Sequence, residues 1–308
     1  MNDEKALPVT EMRNPRSMDL DLLSSEQMLQ VINAEDRTVA DAVAAQIPQI
    51  AKAVEAAAGA LRGGGRLIYV GAGSSGRIGL LDALECPPTF GVAPEMVQAI
   101  VAGGGAAEAG SAAELEDDPA LGADLIAQQS VGSRDIVVGL AASGTTPFTL
   151  GALREAHRRG AMTVAITCVP GSPLAQAAGI AITPLVGPEV LTGSTRMKAG
   201  TAQKLVCNML TMATMVRLGK VYSNLMVEVQ PRNAKLAVRA VWMIAQAVDC
   251  SPEDARAWLG RAGGDVKTAI VMARTGVSRE RARALLVQAD GAVRVALQHA
   301  SGGPEMRS

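Results

Sequence analysis

The chain has 308 residues, 48% of them hydrophobic, enough to bury a substantial core and to form more than one structural unit. Its 29 Lys and Arg against 30 Asp and Glu leave a net charge of -1, which argues against nucleic acid or an anionic membrane surface as partner. Aromatic residues make up only 2%, too few for the stacking platforms of single-stranded nucleic acid binding, so the core falls to Ala, Val, Leu, Ile and 14 Met.

Residues 1–20 are polar and irregular, with Pro8 and Pro15, and read as an arm that is ordered only where something holds it. They contain no apolar h-region, so no signal peptide is expected, and no apolar run reaches the roughly 18–20 residues of a membrane span. Ser24-Ser25-Glu26 caps a helix over Met28, Leu29, Val31 and Ile32, expected to be short because Asn33-Ala34-Glu35-Asp36 turns polar. A second helical stretch runs from about Ala40 to Leu61 and stops at Gly63-Gly64-Gly65. Five short runs, Leu67–Val70, Val97–Val101, Ile136–Leu140, Thr163–Thr167 and Ile180–Ile182, are apolar on both faces and alternate with helical stretches. That pattern predicts an α/β fold, a doubly wound five-stranded parallel sheet with ligands beyond the strand C-termini. A long helix is expected from Ser194 to Leu218, a break at Gln230-Pro231, and short helices thereafter, with start signals at Ser251-Pro252-Glu253 and Ser278. The expected organisation is an arm over 1–20, an α/β domain over 21–225 and a small C-terminal helical unit over 231–300. Cys86, Cys168, Cys207 and Cys250 lack C-x-x-C spacing and read as buried thiols in a reducing cytoplasm.

Gly71-Ala72-Gly73-Ser74-Ser75-Gly76 is a G-x-G-x-x-G that follows a strand and opens a helix, which invites a dinucleotide. The ribose-binding acid is missing, because the second strand ends Val101-Ala102-Gly103-Gly104-Gly105. Two adjacent hydroxyls suit a phosphate monoester better, and the third strand also ends in a hydroxyl-rich turn, Ala141-Ala142-Ser143-Gly144-Thr145-Thr146-Pro147. Two such loops on neighbouring strands can clasp one phosphate, with backbone N–H groups and helix dipoles adding to the side chains. Gly73, Ser74, Ser75, Ser143, Gly144 and Thr146 are the candidate binding residues. The plainer alternative is two tight strand-to-helix turns with cap residues. Ser194, Arg196 and Lys198 precede the long helix and are possible further donors to the substrate, although a salt bridge at the helix start would explain Arg196 and Lys198 equally well. Glu85 and the cluster Glu114-Leu115-Glu116-Asp117-Asp118 would, taken alone, be solvated surface. His157 has only His299 as a possible partner, so no metal site is expected. Met209, Met212 and Met215 stand at helical spacing and suit a core or a subunit interface.

The paired loops resemble the sugar isomerase (SIS) fold, which binds phosphosugars. More narrowly, GAGSSGRIGLLDALECPPTFG (71–91), ASGTTP (142–147) and TGSTRMKAGTAQKLVCNML (192–210) resemble the N-acetylmuramic acid 6-phosphate etherases, and the similarity runs from about Thr10 to Leu297. The C-terminal unit resembles a small UBA-like helical domain. The resemblance implies elimination of D-lactate from N-acetylmuramic acid 6-phosphate and addition of water, with Glu85 as the acid and Glu116 as the second catalytic carboxylate. Leu84 and Thr145 depart from the family pattern, which more often has Ser and Arg there, and the acidic cluster is spaced differently around Glu114. Glu114 and Glu116 point about 200° apart on a helix, so only one of them faces a pocket.

The chemistry fits two glutamates. The ether lies β to the aldehyde of the open-chain sugar, so a base near C2 and an acid at the C3 oxygen suffice, without metal or redox cofactor. If residues 76–85 continue as a helix, Glu85 lies about 13–15 Å along it from the phosphate loop, beyond the span from phosphate to C3. A homodimer with sites at the subunit interface is therefore expected. Two other classes share the loops: a phosphosugar-binding regulator, which needs no carboxylate pair, and an aldose–ketose isomerase.

Overall fold

The computed structural model describes residues 8–104, 114–229 and 234–302; the expected break at Gln230-Pro231 lies outside them. The chain forms two compact units, one of Met1–Leu84 with Pro94–Thr211, the other of Glu85–Ala93 with Met212–Ser308.

The first unit is built on a five-stranded sheet in the order β2-β1-β3-β4-β5, with β1 Leu67–Gly71, β2 Val97–Val101, β3 Ile136–Leu140, β4 Met162–Ile166 and β5 Ile180–Ile182. All pairings are parallel, with Leu67 opposite both Val97 and Ile136. Every residue of β1 and β3 is buried, which is why both read as unbroken apolar runs. Chain direction along the sheet reverses at β1, so the crevice beyond the ends of β1 and β3 is the topological switch point. One face packs Ile68, Val70 and Val137 against Ile126, Phe148, Ala152 and Leu153, each such large side chain worth about 1.5–3 kcal/mol on burial.

The N-terminal elements differ from expectation. Helix α1 runs the full Ser25–Asp36, and its polar end stays helical because Glu35 is buried, 1% exposed, among charged partners. The next stretch is two helices, α2 Thr38–Ala44 and α3 Ile47–Arg62, with Pro48 in the first turn of α3 where its missing N–H does no harm. The arm is held: Asn14 is buried and donates to the Pro188 carbonyl at 3.2 Å, and the Ser17 hydroxyl donates to Val190 O at 2.7 Å.

Helix α4, Gly73–Phe90, continues through Pro87 and Pro88. Each proline lacks the N–H that would satisfy a carbonyl one turn back, so the helix persists on packing, not on a complete ladder. Part of that packing is polar: Tyr69 Oη in β1 donates to Asp82 Oδ2 at 2.9 Å, and burial raises the Asp82 carboxyl despite the hydroxyls of Tyr69 and Thr211. Three further helices flank the sheet, α5 Pro119–Gln128, α6 Pro147–Arg158 and α7 Pro173–Ala177. Helix α8, Lys198–Arg217, is the expected long helix.

In the second unit a hairpin, β6 Val221–Tyr222 and β7 Leu225–Met226, is followed by α9 Ala234–Val248, α10 Pro252–Arg261, α11 Val266–Thr275, α12 Arg279–Gln288 and α13 Val293–Ala300. Ile244, Ala269, Ile270, Leu285 and Val293 form its core. Ser251, Asp265 and Ser278 each accept a backbone N–H of their helix's first turn, at 3.1, 2.7 and 3.2 Å. Among the described residues no helix is long and apolar enough to cross a membrane. No disulfide joins the four cysteines, and burial pushes the Cys168 thiol up to about 12 and Cys207 well above its ordinary value.

Candidate active site

The loops after β1 and β3 leave adjacent strands, Gly71 pairing with Leu140, and each opens a helix at once, α4 at Gly73 and α6 at Pro147. Two helix N-termini therefore meet at the switch point, where orphan N–H groups favour an anion. Gly76 is required for this: a Cβ there would lie 2.6 Å from the Gly71 carbonyl oxygen, so α4 could not start so close to its strand. Gly144 is required twice over, by φ +69° and because a Cβ would meet Ser172 Oγ at 2.1 Å. Its carbonyl accepts from the Leu174 N–H at 3.0 Å, bracing the second loop on the turn after β4.

The hydroxyls divide into four groups. Ser74 is exposed at the start of α4. Ser75 Oγ donates to Gln203 Oε1 at 2.9 Å, while Ser143 Oγ and Thr145 Oγ1 share a 2.8 Å hydrogen bond. Thr146 is the N-cap of α6, yet its hydroxyl makes no capping bond; it donates instead to Glu116 Oε1 at 3.3 Å. The other Glu116 oxygen stands 3.8 Å from where a Cβ of Gly73 would be. One half-buried carboxylate thus accepts from one loop and faces the other. Glu114, two residues earlier, is exposed.

Glu85 lies in the second unit, exposed on α4. Leu81, four residues earlier, shares its helix face, and Leu84, three residues after Leu81, is exposed as well, so apolar surface lies beside the carboxylate. Ser194 and Arg196 sit in the turn that leads into α8, half-buried and exposed respectively.

Lys198 is placed otherwise. It is 1% exposed, and its ammonium pairs with Glu35 Oε2 at 2.6 Å, so the buried salt bridge at the helix start describes it, not a donor facing a sugar. Asn14 also donates to Glu35 Oε2 at 2.8 Å, and Arg16 lies 2.6 Å from Oε1. Glu189 accepts the backbone N–H groups of Lys198 and Ala199, at 3.0 and 2.9 Å, so a buried carboxylate caps α8. Burial raises the Glu35 carboxyl, but hydrogen bonds from Lys198 and Asn14 and the charges of Lys198 and Arg16 outweigh it, and the net shift is downward from 4.5. The pair therefore stabilises fully above the unfolded value and loses its contribution as pH falls below it. Lys198→Met is expected to cost about 3–5 kcal/mol in urea unfolding at neutral pH, because it leaves a buried carboxylate short of its main partner. A loss below about 1 kcal/mol would show that the pair behaves as a solvated one.

Sequence reasoning gave Gln203, Glu35 and Glu189 no role. Gln203 sits within the distinctive 192–210 block, the only local signal for it; Glu35 was hidden in a polar run that suggested a helix end.

A SIS domain family model matches residues 32–168. The chain is 52% identical to N-acetylmuramic acid 6-phosphate etherase 2 of Vibrio cholerae over 94% of each chain. It is 50% identical to N-acetylmuramic acid 6-phosphate etherase of Klebsiella aerogenes, over 94% of this chain and 97% of that one. The Jannaschia sp. etherase is 53% identical over 85% of this chain and 83% of its own length. On the strength of identity at that level across nearly the whole length, the chain belongs to the N-acetylmuramic acid 6-phosphate etherase family.

Proposed function

We propose that the chain is a carbon–oxygen lyase that cleaves the D-lactyl ether of N-acetylmuramic acid 6-phosphate, giving N-acetylglucosamine 6-phosphate and D-lactate in cell-wall recycling. The observation that carries the reading is the position of Glu116, hydrogen-bonded to Thr146 of one loop and against Gly73 of the other. A phosphosugar anchored by its phosphate at the two helix N-termini, on Gly73, Ser74, Ser75, Ser143, Gly144 and Thr146, extends past this carboxylate. Glu116 takes the C2 proton of the open-chain sugar, leaving the electron pair as an enolate on the aldehyde oxygen; the pair then returns to form the C2=C3 bond as the C3–O bond breaks. Glu85 protonates the departing lactate oxygen. Water then adds at C3, giving a proton to the Glu85 carboxylate, and Glu116 returns its proton to C2. Ser194 and Arg196 add polar groups from the turn before α8.

Glu85 stands about three turns along α4 from Gly73, too far for one sugar to span. We assign it to the site of a second copy in a homodimer. The exposed Leu81 and Leu84 beside it, and the exposed Met209, Met212 and Val216 on one face of α8, supply apolar surface for such a contact. Four cysteines without a disulfide suit a reducing cytoplasm.

Incubation with N-acetylmuramic acid 6-phosphate is expected to release D-lactate in step with N-acetylglucosamine 6-phosphate, read by a coupled D-lactate assay. Binding without lactate would point to a regulator, and conversion of an aldose phosphate to a ketose to an isomerase.

A further inference from the structure

Gln203 on α8 is 1% exposed and lies 128 residues from Ser75, whose hydroxyl it accepts through Oε1 at 2.9 Å. The other end of its amide, Nε2, is buried and has no hydrogen-bond partner among the described residues. An orphaned buried donor costs about 1–3 kcal/mol, and an under-satisfied carbonyl oxygen is tolerated more readily than an orphaned N–H. A half-turn of the amide removes the orphan donor. The nitrogen then faces Ser75 Oγ, and the oxygen occupies the place the nitrogen held.

The turn matters for Ser75 because a hydroxyl has one proton and two lone pairs. While Gln203 accepts, that proton points into the protein and only lone pairs face the loop, which repels a phosphate oxygen. When Gln203 donates, one lone pair is satisfied and the proton is free to meet an anion at the start of α4. We propose that Gln203 is a positioning residue for substrate binding: with phosphosugar present its amide nitrogen donates to Ser75 Oγ and turns the Ser75 proton onto the phosphate. The inference rests on the assignment of the Gly71–Gly76 loop to the phosphate.

The test uses the full chain and reads kcat and KM for N-acetylmuramic acid 6-phosphate, with the inhibition constant of inorganic phosphate beside them. Gln203→Leu is expected to raise KM and the phosphate constant about tenfold, the effect of one hydrogen bond, and Gln203→Glu by more than that, with kcat changed by less than about threefold in both. Gln203→Glu is the more severe, since an ionised carboxylate can only accept and holds the Ser75 proton inward. In a Ser75→Ala background Gln203→Leu should add less than about twofold, because the group it acts through is gone. An unchanged KM in Gln203→Glu, a nearly isosteric change, overturns the proposal. So does a Gln203→Leu defect that persists undiminished without the Ser75 hydroxyl. A Ser75→Ala variant with wild-type KM overturns the phosphate-loop assignment as well, whereas a Ser75→Ala defect beside silent Gln203 variants overturns the role of Gln203 alone.

Discussion

Glu116→Gln is expected to lower kcat by a factor of about 100 to 10,000, the range over which general acid–base groups contribute, with KM for the phosphosugar nearly unchanged. The substitution is a narrow one. The amide oxygen can still accept from Thr146, whose hydroxyl lies 3.3 Å from the carboxylate, and side-chain volume is kept, so the loops should hold their places. What is lost is the ability to take a proton from C2. Exchange of the C2 hydrogen with deuterium from solvent should therefore disappear together with D-lactate release. Retention of both activities would remove Glu116 from the reaction and turn attention to Glu114, which is exposed two residues away.

Glu85→Ala is expected to abolish lactate release to a similar degree and yet to keep C2 exchange, because proton abstraction precedes departure of the leaving group. The opposite pattern in the two variants would exchange their roles. The same pair tests whether Glu85 acts on a neighbouring subunit. In a mixed dimer of Glu85→Ala and Glu116→Gln chains, one site combines an intact loop face with an intact Glu85, and the other site carries both defects. Random mixing of the two inactive variants should then restore about a quarter of the wild-type activity, since half of the dimers are mixed and each has one working site. Demonstrably mixed dimers without activity would place both glutamates within one chain's site.

Much of this was legible in the chain itself. The five strands fall where short, doubly apolar runs placed them, and the glycine–hydroxyl loops open helices immediately after β1 and β3. These are local signals: a strand buried on both faces must be apolar throughout, and a tight strand-to-helix turn must use glycine where Cβ atoms would collide. The helix caps at Ser251 and Ser278 were equally local. The polar run Asn33–Asp36 misled for the complementary reason, since the partners that keep Glu35 helical and buried, Asn14, Arg16 and Lys198, lie up to 163 residues away.

The sequence by itself determined the sheet and the paired glycine–hydroxyl loops, because each depends on residues adjacent in the chain. Only the tertiary structure decided how the charged and polar side chains are used. It set Glu116 against both loops, brought Gln203 to Ser75 and withdrew Lys198 into a buried pair, because hydrogen bonds and ion pairs form between whatever groups the fold brings within about 3 Å, and sequence separation carries no record of that distance.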